Sequence, residues 1–241
     1  NKEIPLLLKR LGIVSILIIG SVLMFQPSWL LNRLSAHSPD VLYSVQTQEP
    51  ILALTIDDGP DPSTTPLILD LLLKYDARAT FFLLSDHIPG NEVLVQRIVD
   101  EGHEIGNHLT DDQPSIRLSV DEFEGRLLHA RDILSPFGEV HWFRPGSGWY
   151  NQSMRDVLFQ HGYRLALGSI HPFDSQIPSS WFASNYILWR AQPGAIIVLH
   201  DIGSRGLRTV DTLDTVLPAL KARDFRIVTL TELSEQAQSE D

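Results

Sequence analysis

The chain contains no cysteine. Disulfides, thiol nucleophiles and thiolate metal sites are therefore excluded, and any bound metal must rest on His, Asp or Glu. Positive charge is also scarce: 19 Lys and Arg stand against 30 Asp and Glu, a formal net charge of −11. The longest basic run is Lys9-Arg10. A protein that displaces counterions from phosphates needs a basic footprint, so nucleic acid is set aside as a partner, and a strongly anionic polymer is disfavoured. With 43% hydrophobic and 20% charged residues, the 241-residue chain has an ordinary globular composition and length enough for one sizeable domain.

One long apolar run is present. Residues 11–25 are uncharged and almost wholly apolar, Lys9-Arg10 precede them, and Leu6-Leu7-Leu8 and Trp29-Leu30-Leu31 flank them. A bilayer crossing takes about 20 residues, with about 17 as the lower bound. We read an N-terminal transmembrane helix, with a cleaved signal segment or a buried helix as alternatives. Basic residues ahead of the span place the N-terminus inside and the rest of the chain outside. The expected organisation is a membrane anchor (or signal segment) over 1–31, a polar tether over 32–49, and a folded domain over 50–241. That describes a single-pass membrane protein with an extracytoplasmic domain, or a secreted one after cleavage.

From Pro50 onward strand-like and helix-like segments alternate. Apolar runs at 51–56, 79–84, 103–107, 141–143, 164–168, 195–199 and 226–230 read as strands. Segments at 67–73, 92–100, 119–134, 153–160, 180–189 and 207–222 read as helices. Strands separated by helices of this length pair in parallel through right-handed crossovers. The expected fold is α/β, a distorted and incomplete (β/α) barrel, with a doubly wound open sheet as the alternative. In either, reactive residues belong at the C-terminal ends of strands.

Four segments fall there. Thr55-Ile56-Asp57-Asp58-Gly59-Pro60 sends two adjacent carboxylates from a strand into a turn, where they can diverge. In 102–108 (GHEIGNH), His108 is followed four residues later by Asp112; a helical turn would put both on one face. Phe143-Arg144-Pro145-Gly146-Ser147-Gly148 offers a strand-end guanidinium able to grip a carboxylate. The apolar strand at 195–199 delivers His200-Asp201 to the mouth of the sheet. Each alone is equally a turn, a solvated loop or a strand cap.

Taken together and in this order, these segments resemble the polysaccharide deacetylase family, the NodB-homology esterases, over about 52–230. The family's T-F-D-D-G-P is matched except at Ile56, G-H-E-I-G-N-H is matched through His108, and Phe143-Arg144-Pro145 and Leu199-His200-Asp201 are present. The resemblance implies a distorted (β/α) barrel and hydrolysis of the acetamide on an N-acetylglucosamine-type glycan, chitin-like or peptidoglycan. It implies Asp57 as general base, Asp58 and His108 as metal ligands, Arg144 as the residue orienting Asp57, and His200 as general acid.

The sequence departs from the family at three places. The second metal-binding His is replaced by Asp112, with Asp111 as a neighbouring alternative. Two carboxylates and one imidazole make a harder site than two imidazoles. Zinc is expected first, with manganese, cobalt or iron as alternatives. The third motif lacks its aromatic, and Pro145, Ser147, Trp149 and Tyr150 are the expected substrate-facing residues. In the fourth, His171-Pro172-Phe173-Asp174-Ser175 stands for D-x-x-D-W; Asp174 aligns with the carboxylate that orients the acid, and His171 inherits no role. His103, His129, His141 and His161 read as structural. The competing expectations are a catalytically inactive glycan-binding homologue and an amidase on a small N-acylated molecule. Oligomeric state is open.

Overall fold

A computed structural model of the protein describes Gly20, Pro27, Leu30, Arg33, His37 and Ser38 individually and residues 40–238 continuously. The expected transmembrane helix therefore lies, apart from isolated positions, outside the described residues. Among the described residues no helix is long and apolar enough to cross a membrane. The compact unit is Asp40–Asp241.

Among the described residues it contains eight strands and seven α-helices, which alternate from β2 onward. In chain order they are β1 (Val41–Leu42), β2 (Ile51–Asp57), α1 (Thr65–Tyr75), β3 (Ala79–Leu83), α2 (Glu92–Asp100), β4 (Glu104–Asn107) and α3 (Val120–Leu134). There follow β5 (Trp142–Phe143), α4 (Gln152–Gln160), β6 (Arg164–Ala166), α5 (Ser180–Arg190), β7 (Ile196–His200), α6 (Gly203–Lys221), β8 (Arg226–Val228) and α7 (Leu230–Gln238). Local chemistry sets several helix starts. Ser119 and Glu122 form a reciprocal capping box on α3, and the Asn151 and Ser179 side chains accept from Met154 N and Phe182 N on α4 and α5.

All strand pairs are parallel, in the order β1-β6-β5-β4-β3-β2-β7, with β8 against the first half of β2. Sequential strands neighbour one another from β2 to β6, and Ile170, just beyond β6, bridges to Ile197 of β7, which flanks β2. That circular order is a barrel's, imperfectly closed; a doubly wound sheet would reverse direction partway.

The expected tether over 32–49 needs correction at its C-terminal end. Val41 and Leu42 pair with Leu165 and Ala166, and Val45 N donates to Gly194 O at 2.9 Å. The folded unit thus begins at Asp40 and not at Pro50; two strand residues among polar neighbours are too few to show a period.

β2 is buried along its whole length. Alternate residues Leu52, Leu54 and Ile56 pack with Ile68, Leu69 and Leu72 of α1, while Ile51 and Ala53 pack with Phe82, Trp142, Ala166 and Ile196 in the barrel interior. The same two-residue period carries Thr55 and Asp57 up the interior face. Asp57 pairs in register with Phe82 on β3 and with His200 on β7.

The interior is tightly packed beneath the site. A Cβ on Gly106 would lie 2.6 Å from the Phe82 ring, which itself supports the Arg144 guanidinium 4.2 Å from its centroid. Gly106→Ala is expected to cost about 1–3 kcal/mol in urea unfolding through overpacking. A change below half a kcal/mol would mean that the Phe82 ring yields freely.

Candidate active site

The strand ends hand over the reactive residues through one further backbone rung each. Asp58 N donates to Phe82 O (3.1 Å), His108 N to Leu83 O (3.1 Å), Arg144 N to Asn107 O (3.1 Å) and Asp201 N to Asp57 O (2.8 Å). The residues that follow β2, β4, β5 and β7 are therefore fixed as rigidly as the strands themselves.

Asp57 lies over Thr55. Arg144 Nη1 donates to Asp57 Oδ1 at 2.7 Å and to Thr55 Oγ1 at 2.6 Å, and Arg144 Nε donates to Ala166 O at 3.0 Å. Arg144 is 3% exposed and Asp57 4%. Arg144 thus holds the Asp57 carboxylate from one side.

Asp58 points elsewhere. Consecutive strand residues face opposite ways, and Asp58 adds a left-handed backbone (φ 75°). His87 Nδ1 donates to its carbonyl at 2.9 Å and so braces that conformation. Asp58 Oδ1 lies 3.4 Å from His108 Nε2. Burial opposes the charge on Asp58, but His108, His200 and Arg205 outweigh it and lower its pKa to about 2. His108 Nδ1 donates to Arg144 O at 2.7 Å, which turns Nε2 toward Asp58. Burial disfavours the imidazolium, yet the carboxylates of Asp58 and Asp57 raise the His108 pKa.

These two side chains fit a divalent cation. Donors at about 2.0–2.1 Å from a tetrahedral ion stand a little over 3 Å apart, and an Nδ1–H tied to a carbonyl leaves Nε2 as the ligating atom. Asp58 Oδ2 is buried and makes no hydrogen bond.

Asp112 does not complete the set, a correction to the expected triad. Four-residue spacing joins two side chains only across a helical turn, and residues 108–114 contain none; Leu109 takes a left-handed conformation (φ 66°) that turns the chain away. Asp112 is exposed and reaches Asp58 only through Arg205, whose Nη2 lies 3.4 Å from Asp112 Oδ2 and whose Nη1 lies 3.1 Å from Asp58 Oδ2. Asp111 is held by Arg126 Nη1 at 3.1 and 3.0 Å and does not substitute. Among the described residues no group of three His, Asp or Glu is arranged for one ion.

On the other side His200 Nδ1 donates to Asp174 Oδ2 at 2.8 Å. Burial alone would lower the His200 pKa; the Asp174 hydrogen bond and charge, with Asp57 and Asp58, raise it to about 9. The ring is a cation at neutral pH, with its remaining nitrogen, Nε2, available as a donor. Arg208 Nη2 donates to Asp174 O at 3.1 Å and pins the loop that carries the carboxylate. His171, which sequence reasoning left without a role, stands within electrostatic reach of this cluster: burial and the Arg144 charge lower its pKa to about 4, so it is neutral. Of the histidines read as structural, His103 is a buried acceptor from Ala79 N at 3.3 Å.

The expected substrate-facing set divides. Trp149 is 68% exposed, and Ser147 is exposed in the 146–148 turn with φ 64°. Pro145 is buried and shapes the loop instead of facing a ligand. Tyr150 is half-buried, its hydroxyl 2.9 Å from that of Tyr43.

Comparison with known proteins follows the same lines. The family profile described as polysaccharide deacetylase matches residues 44–166. A peptidoglycan-N-acetylglucosamine deacetylase of Bacillus cereus is 37% identical over 196 residues, 80% of this chain and 92% of that protein. Among solved structures, a peptidoglycan N-acetylglucosamine deacetylase in complex with 4-naphthalen-1-yl-N-oxidanyl-benzamide superimposes with a TM-score of 0.77 at 29% identity, covering 83% of this chain and 95% of that one. A family 4 acetyl xylan esterase from Clostridium thermocellum in complex with a cobalt ion gives a TM-score of 0.69 at 30% identity, covering 76% and 89%.

Proposed function

The chain belongs to the polysaccharide deacetylase family, and from that premise we propose that it is a metal-dependent hydrolase that removes N-acetyl groups from an N-acetylglucosamine-type glycan. The observation that carries the reading is a pair of buried ion-pair dyads, Arg144–Asp57 and Asp174–His200, flanking the Asp58–His108 seat. An Asp held as an acceptor beside a His held as a cation is the arrangement amide hydrolysis requires.

Asp58 and His108 would hold the divalent cation, and zinc or cobalt suits a carboxylate–imidazole pair. Bound there, it would polarise the acetamide oxygen and lower the pKa of water. Asp57, fixed by Arg144, accepts the proton of the attacking water. An amine anion is a very poor leaving group, so His200 donates its Nε2 proton to the amide nitrogen as the C–N bond breaks. The products are acetate and a free amino sugar. Trp149 offers an exposed indole face against which a sugar ring can stack. The apolar segment at 11–25 behind Lys9-Arg10 supports a site outside the cytoplasm, where cell-wall glycan is found.

The test is metal-dependent acetate release, measured on peptidoglycan, chitin oligomers and small N-acetylated amides in parallel. Release from glycans and not from small amides is expected. Hydrolysis confined to small amides, or none with any divalent metal, would overturn the proposal.

The raised pKa of His200 sets a pH dependence. An acid works only while protonated, so kcat should be lost as pH rises through about 9. Asp174→Asn removes the principal groups that stabilise the imidazolium, so the alkaline limb should move to lower pH by roughly one unit or more. A kcat–pH profile checks this; an unmoved limb would show that some group other than His200 controls it.

A further inference from the structure

The first turn of α6 carries a cation where a cation is electrostatically out of place. Arg205 is the third residue of the helix, close to the positive end of the helix dipole, and the first turn contains no acidic residue to offset it. It is held by two carboxylates from elsewhere in the fold, Asp58 at 3.1 Å and Asp112 at 3.4 Å.

Neither hold is tight. Asp58 Oδ2 makes no hydrogen bond although the guanidinium lies beside it, so the contact is an ion pair at a poor angle. The bond to Asp112 is long, and the Arg205 fork is split between two acids instead of closing in parallel on one. The Arg205 side chain is 27% exposed and that of Asp112 52%, whereas that of Asp58 is 2% exposed. Arg205 can therefore swing into water while Asp58 cannot.

The charges favour that movement when another cation arrives. Asp57 is matched by Arg144, and Asp58 by Arg205. A divalent ion at Asp58 and His108 would neutralise Asp58 and repel the guanidinium. We infer that Arg205 is a resident competitor for the metal seat, holding Asp58 in the metal-free protein and releasing it as the ion binds. The inference rests on the metal-dependent reading above.

The experiment is calorimetric titration of the metal-stripped full chain with Zn2+, and separately with Co2+, for wild type and Arg205→Ala. Arg205→Ala is expected to bind about tenfold more tightly or better, a factor of ten being 1.4 kcal/mol. Its metal-free form should also melt at a lower temperature than wild type and gain more from the ion, because the buried Asp58 charge has lost its partner. If Arg205→Ala does not fold, Arg205→Gln takes the same measurements with the side-chain bulk kept. Equal or weaker binding by the folded variant would overturn the competition and leave the metal reading standing. No binding by either protein would overturn the metal reading and the competition together.

Discussion

Asp57→Asn should lower kcat by about 10²–10⁴, the usual contribution of a positioned general base. The substitution keeps the shape of the side chain, and its remaining carbonyl oxygen can still accept from Arg144 Nη1, so the interior network of Thr55, Arg144 and Ala166 stays in place. What is lost is the ability to take a proton. Because Asp57 is turned to Arg144 and Asp58 to His108, metal affinity in the variant should be close to that of wild type. The measurement is acetate release with metal content determined on the same sample. Full turnover would remove Asp57 from the role of base; loss of metal alongside activity would make it a ligand instead.

Replacing Arg144 should affect stability as much as turnover. Arg144→Met keeps a long apolar stem against Phe82 but leaves the buried Asp57 carboxylate with no cation, and breaking a buried pair in this way costs about 3–5 kcal/mol. The double variant Asp57→Asn with Arg144→Met tests the cause. With the orphaned charge gone, much of the lost stability should return, while activity should not. Urea unfolding of the two single variants and the double variant gives the coupling directly. If the double variant is as unstable as the sum of the singles, the cost of Arg144→Met lies in lost packing and not in the pair.

Much of this site was legible in the sequence because its residues sit at the ends of buried strands, where an apolar run stops abruptly at a charged residue. Asp57, Asp58, Arg144 and His200 follow or end β2, β5 and β7. Asp174 was placed by alignment with a motif, and it lies in hydrogen-bond contact with His200. Six of the seven helices were found within a few residues, α6 beginning at Gly203, four residues ahead of the apolar pattern that marked it, while α7 was not read from the sequence at all. The first turn of α6 is polar because it faces the site, so hydrophobic periodicity could not register it.

Asp112 failed for the opposite reason. A four-residue interval has meaning only once the backbone between is known to be helical, and a single left-handed residue, Leu109, voids it. Arg205, Arg208 and His87 were missed altogether. For the two arginines a signal was available: positive charges in the opening turns of a helix oppose its dipole and imply acidic or carbonyl partners nearby, which Asp58, Asp112 and the Asp174 carbonyl supply. For His87 there was none, since it contacts a backbone oxygen that any residue could present.

The register between β2 and β7 sets Asp57 directly opposite His200 on adjoining parallel strands. Strands are spaced about 4.8 Å apart by their shared hydrogen bonds, whatever side chains they carry. The proposed proton acceptor and proton donor are thus mounted on a gauge set by the backbone and not by side chains elsewhere. A lineage adapting this scaffold to a new glycan has little freedom in the reaction itself; room for change lies in the loop around Trp149, where shape can drift without disturbing the distance that the chemistry needs.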